Sequence, residues 1–137
     1  MIMAEGINMG RKSPWAKEEY IELYHRVNDY AKFLSKTLLE QEGESSAKEA
    51  LAAYNIFKYP VVYLFIHYHY GKFEDLHMLN MDTMAYITMY VPNVKHFTQG
   101  ILDGLRSQNV FCYDTDNSIA SLLEKMCEEV LYIENNF

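Results

Sequence analysis

At 137 residues with a net charge of −7 and half its residues apolar, the chain suffices for one domain with a substantial core and is too apolar for wholesale disorder. Two cysteines, Cys112 and Cys127, exclude a disulfide framework, and no apolar run approaches the roughly 18 residues that span a bilayer. No charged, apolar and small-residue leader opens the sequence, so a soluble protein in a reducing, cytoplasmic setting is expected.

Residues 1–12 hold Gly6, Gly10 and the basic pair Arg11-Lys12 without periodicity and read as a flexible N-terminal arm. Residues 13–137 read as a single helical domain. Ser13 is placed as an N-cap and Pro14 at the first helical position. Apolar residues then fall at Tyr20, Tyr24, Val27, Ala31, Leu34 and Leu38, alternating steps of four and three. That spacing predicts a long amphipathic helix, about 40 Å at 1.5 Å per residue. A domain of this size needs no helix so long. Either it packs along the whole domain or its end projects to meet a second copy, which makes the helix over 14–41 the homodimer candidate.

The polar stretch 41–46 breaks the pattern, and Ser46 with Glu49 fits a capping box opening a second helix to about Lys58. Next comes 54–71, the one place where aromatic and apolar residues run nearly unbroken, so the core must close around it. Within it, 61–70 is β-branched and aromatic enough for a buried strand. Pro60 and Gly71 equally suit the start and end of a helix. Helix is preferred, because a buried strand needs partners and the chain offers no other clear sheet.

Residues 81–90 read as a helix with Met84 and Ile87 inward, stopped by Pro92. Asn93 then caps another to about Arg106, with Val94, Phe97, Ile101 and Leu105 buried; Gly100 and Gly104 weaken it and leave room for another backbone. A brief strand or hairpin fits 110–117, and Asp114 to Asn117 can cap a last helix whose stripe is Ile119, Leu122, Leu123, Met126, Val130 and Ile133. The fold class is thus all-α: a compact bundle of five to six helices.

Chemistry-bearing patterns are sparse. His67 and His69 share a face only in a strand, so a helical reading counts against a shared metal ion. Glu74 and His77 have the spacing of a carboxylate-bridged di-metal motif, which requires a second copy that the chain lacks. Asp114, Asp116 and Ser118 resemble the start of a calcium loop, but its sixth and twelfth places hold Ile119 and Lys125 instead of glycine and glutamate. Phosphate-cradling loops and nucleophile elbows are lacking. A non-enzymatic protein without cofactor or metal is therefore expected.

Residues 107–137 carry six acids against one base, Lys125, a local charge of −5. This favours an acidic interaction protein, an adaptor, inhibitor or regulatory subunit, that meets a basic surface on a protein partner. Glu124, Glu128, Glu129, Glu134 and Tyr132 are its candidate contacts, Tyr being a frequent anchor at interfaces. The alternative is a dimeric helix-turn-helix DNA-binding regulator over 81–106, with Asn93, Lys95, His96, Gln99 and Arg106 facing DNA. Its weakness is a shortage of cations for phosphate contacts.

Overall fold

The computed structural model describes residues 12–69, 85–107, 110–111 and 118–136. Every regular element among them is helical, with no strand. The first helix, α1 (Lys17–Gln41), buries Tyr20, Leu23, Tyr24, Val27, Tyr30 and Ala31, following the predicted stripe as far as Ala31, while its last members, Leu34 and Leu38, are half-buried. It begins later than Ser13-Pro14 implies. Ala16 is the N-cap, its N–H donating to Glu19 Oε1 at 2.8 Å. Ser13 instead turns on its own neighbourhood, its Oγ accepting from the Trp15 N–H and bonding the hydroxyl of buried Tyr20. A serine hydroxyl that closes a local turn is lost as a helix cap.

A two-residue link then reverses the chain into α2 (Glu44–Asn55). Glu42 and Gly43 both donate their N–H to the Leu38 carbonyl, at 2.7 and 3.0 Å. Gly43 adopts φ 104°, a conformation open to glycine alone among common residues. The helix is therefore under way before Ser46, and the expected Ser46–Glu49 capping box does not form. A 3-10 turn (Ile56–Lys58) passes directly into α3 (Tyr59–Tyr68), so 61–68 of the expected 61–70 is helix, His69 caps it, and Tyr70 lies outside the described residues. Pro60 sits in the first turn of α3, where its missing N–H costs nothing.

From residue 44 to 69 the chain runs back along α1. Ser35 Oγ donates to the Ala47 carbonyl at 3.0 Å, the Tyr30 and Tyr54 rings lie 5.5 Å apart, and Tyr20 meets Phe65 at 6.1 Å. One number falls as the other rises, the mark of an antiparallel helical hairpin joined by a short loop. Lys58, almost wholly buried, reaches Asn28 Oδ1 at 3.3 Å and lies 5.2 Å over the Tyr24 ring.

Pro92 was expected to separate two helices, and it does not. A π-helical turn (Tyr86–Tyr90) and a 3-10 turn (Val91–Asn93) lead without a break into α4 (Val94–Ser107). The proline ring would clash with the carbonyl four residues back in an α-helix. The wider turn relieves this, with the Val91 N–H donating five residues back to Tyr86. Ile87, expected inward, is 52 % exposed because that turn shifts the register of its face. Phe97 is half-buried, while Val94, Thr98, Ile101, Leu102 and Leu105 are buried. Tyr90 and Thr98 satisfy each other inside the core at 2.7 Å.

Val110 and Phe111 form a turn where a strand or hairpin was expected, and residues 112–117 lie outside those described. Phe111 takes φ 56°, a left-handed conformation costing a non-glycine residue roughly 1–2 kcal/mol. Its ring explains why the chain accepts this. It is buried among Tyr30, Tyr54 and Phe57 at 4.9, 5.2 and 5.1 Å. The last helix, α5 (Ser118–Asn136), buries Ile119, Leu123, Met126, Cys127, Glu129, Val130 and Ile133 against α3 and α4; Leu122 of the expected stripe is half-buried. The described residues thus make four helical stretches, 17–41, 44–68, 85–107 and 118–136, because neither Pro60 nor Pro92 ends one.

Candidate interaction surface

The last helix divides its carboxylates between two jobs. Glu129 and Glu134 turn inward, accepting hydrogen bonds from the hydroxyls of Tyr68 and Tyr63 on α3. Glu129 is buried to 8 % exposure. The five-residue spacing of the tyrosines matches that of the glutamates in opposite order, as two antiparallel helices require. Burial, then the hydrogen bond to Glu134, holds the Tyr63 hydroxyl far above its ordinary range, so it stays a donor. Paired in this way, a buried carboxylate escapes most of its desolvation penalty. The crowd of acids at the negative end of α5 is thus partly a set of acceptors for the core tyrosines. Glu129 belongs to the interior, not to an outward acidic face.

Glu124, Glu128 and Tyr132 follow at successive steps of four and so share one face of α5. Tyr132 is 44 % exposed. Arg106 at the end of α4 spans the two acids, its Nε 3.5 Å from Glu124 and its guanidinium bonded to Glu128. All three charged side chains are substantially exposed, which limits each pair to at most about 1 kcal/mol. Behind this face, Cys127 is fully buried, and burial first, then Glu124 and Glu128, pushes its thiol up to about 12. It remains a neutral, unreactive thiol.

The residues assigned to DNA fall on one helical path, without the turn that a helix-turn-helix needs. Lys95, His96 and Gln99 are exposed on it. Asn93 Nδ2 donates back to the Met89 carbonyl at 3.4 Å, and Arg106 is held by two carboxylates.

The histidines of α3 are ring partners. His67 stacks on Tyr63 at 6.3 Å and meets the Tyr68 ring edge-on at 4.7 Å. His69 lies 5.4 Å from both Tyr20 and Phe65. Burial, then Lys17, lowers its pKa, with Glu18 opposing. No group of three or more metal-ligating side chains gathers among the described residues. Glu74, His77 and the 114–117 turn lie outside those residues. Gly100 and Gly104 face open space, with nothing within 4 Å of a Cβ at either among the described residues, so no described backbone uses the gap they leave. A groove of about 280 Å³ beside Gly100 is lined by Ile56, His96, Phe97 and Ile101.

None of the helices is long and apolar enough to cross a membrane among the described residues. Comparisons with known families, with characterised proteins and with solved structures find no match for this chain.

Proposed function

We propose that the chain is a non-enzymatic interaction protein, an adaptor, inhibitor or regulatory subunit, that meets a basic surface on a protein partner through the outward face of α5. The observation that carries this reading is the exposed line of Glu124, Glu128 and Tyr132 on a chain of charge −7. Two carboxylates held by one exposed guanidinium leave a net negative site. A partner's Arg or Lys displaces Arg106 at small cost, since the pairs it breaks are surface pairs. The charges then steer association, and the half-exposed tyrosine supplies the apolar contact that slows release.

The test uses the full-length chain, tagged and incubated with lysate of its native host, with and without nuclease. A protein retained in near-stoichiometric amount in both samples then serves as the binding partner for kinetics. Glu124→Gln with Glu128→Gln is expected to slow association several-fold and flatten its salt dependence, and Tyr132→Ala to speed dissociation. Unchanged kinetics in these variants would remove this face from the mechanism. Nucleic acid retained only without nuclease, with no protein partner, would replace the proposal with the DNA-binding reading.

A further inference from the structure

We infer that His69 is an acid-operated latch: neutral, it holds the end of α3 against the start of α1, and charged, it swings outward and frees the turn at 13–16. The residue caps α3, its N–H donating to the Phe65 carbonyl at 2.8 Å. Its ring lies 5.4 Å from both Tyr20 of α1 and Phe65 of α3. Nε2 is buried there with no hydrogen-bond partner among the described residues. A neutral imidazole can leave that nitrogen unprotonated, whereas in the charged ring both nitrogens are donors. Protonation therefore puts an N–H and part of a positive charge where the described residues offer no acceptor, which is costly.

The charges around the ring act in both directions. Burial, then Lys17 of α1, disfavours the imidazolium, Glu18 of α1 favours it, and the balance lowers the pKa from 6.5. Glu129 of α5 is committed to the hydroxyl of Tyr68, the residue before His69. Outside its seat the charged ring stays at the carbonyl end of α3, whose partial negative charge favours a cation. Each protonation state thus selects one position. Below pH 6.5 the released form binds a proton that the seated form resists, so the latch weakens as pH falls. Tyr20 passes the change on. It is wholly buried, bonded to the Ser13 hydroxyl and met edge-on by Trp15 at 6.1 Å. When His69 leaves, Tyr20 loses one of its ring neighbours, and the turn built on it by Ser13 and Trp15 loosens.

Trp15 is the chain's one tryptophan, so the fluorescence of the full chain reports on this turn. Between about pH 7.5 and about pH 5, the range in which histidine changes charge, its emission is expected to shift to the red while far-UV circular dichroism holds. In a proton NMR titration His69 is expected to titrate below 6.5. His69→Phe keeps a ring and removes the proton, and its Trp15 emission is expected to stay constant over the same range. His96→Gln, at an exposed site on α4, is expected to shift as the parent does. A His69 resonance that titrates at or above 6.5, a parent whose emission does not move, a shift that survives in His69→Phe, or one lost in His96→Gln would each overturn the inference.

Discussion

The two ends of the α1–α2 hairpin use the same pair of helices and differ in what lies against them. At the base, 17–31 and 54–69 are covered by α5 and by the Phe111 ring, and Tyr20, Tyr24, Val27, Val61, Leu64 and Phe65 are almost wholly buried. At the outer end, α1 keeps its apolar repeat through Leu34 and Leu38, yet both are only half-buried, where α2 is the main element against them among the described residues. An amphipathic stripe thus sets which face of a helix turns inward; the depth of burial depends on a second layer.

The largest expected effects follow from that difference. Phe65→Ala or Leu123→Ala at the base should cost about 3–5 kcal/mol, the range for large buried side chains. Phe33→Ala or Leu39→Ala should cost less than about 0.5 kcal/mol, as at exposed positions generally. Urea unfolding followed by circular dichroism measures both. Phe111 sharpens the contrast, since its ring stabilises the base while its φ of 56° opposes it. Phe111→Gly should therefore be less destabilising than Phe111→Ala by about 1 kcal/mol, despite removing more side chain. The reverse order would mean that the turn relaxes once the ring is gone.

Those residues also mark what the sequence could and could not convey. The stripes of α1 and α5 were legible, because a 3.6-residue period is local information. The helical state of 61–68 was reached only by the absence of sheet partners, which is indirect. The path through Pro92 was misread because a proline's local preference is to end a helix, and a π-turn that absorbs it leaves no mark in composition. The inward role of Glu129 and Glu134 was written in the matching spacing of Tyr63 and Tyr68. It stayed unread because pairing depends on which helices face each other. Glu124, Glu128 and Tyr132 needed only the helical period to be placed on one face.

An intermediate effect comes from pH, and it acts on the base. Burial raises the Tyr86 hydroxyl from 10.0 to about 12 and the Cys127 thiol from 9.0 to about 12. Tyr20, Tyr63 and Tyr90 are raised further, also chiefly by burial. Above the unfolded values, the unfolded chain releases protons that the folded chain retains, so folding binds more protons and stability falls as pH rises. This contribution is whole below about pH 9 and is lost as pH rises above it, for Tyr86 and Cys127 by about 12, at most about 1.4 kcal/mol per group and pH unit. The thermal midpoint should hold between neutral pH and 9 and drop steeply above. Cys127→Ala should delay the onset, because the thiol is first to titrate in the unfolded chain. Tyrosine absorbance titrating near 10 throughout, with circular dichroism unchanged, would mean that water reaches the base.

The remaining effects concern glycine, and they ask whether the two ends unfold together. Gly100 and Gly104 have ordinary helical backbone and open space around them. Alanine at either should stabilise α4 by about 0.5–1 kcal/mol, through helix propensity and a less flexible unfolded chain. Gly43 is the opposite case. It has equal space around it, but its φ of 104° with ψ of 179° lies in a region that is essentially glycine's alone, so Gly43→Ala should cost about 1–3 kcal/mol. Where that cost appears is the informative part. If hydrogen exchange accelerates only in 32–53 while the base keeps its protection, the outer end opens as a separate unit. This is what its single buried side chain, that of Ala47, implies. If protection falls equally at Leu23 and Leu123, the hairpin unfolds as one body, and its outer end draws on the core's stability while adding little more than Leu34 to its packing.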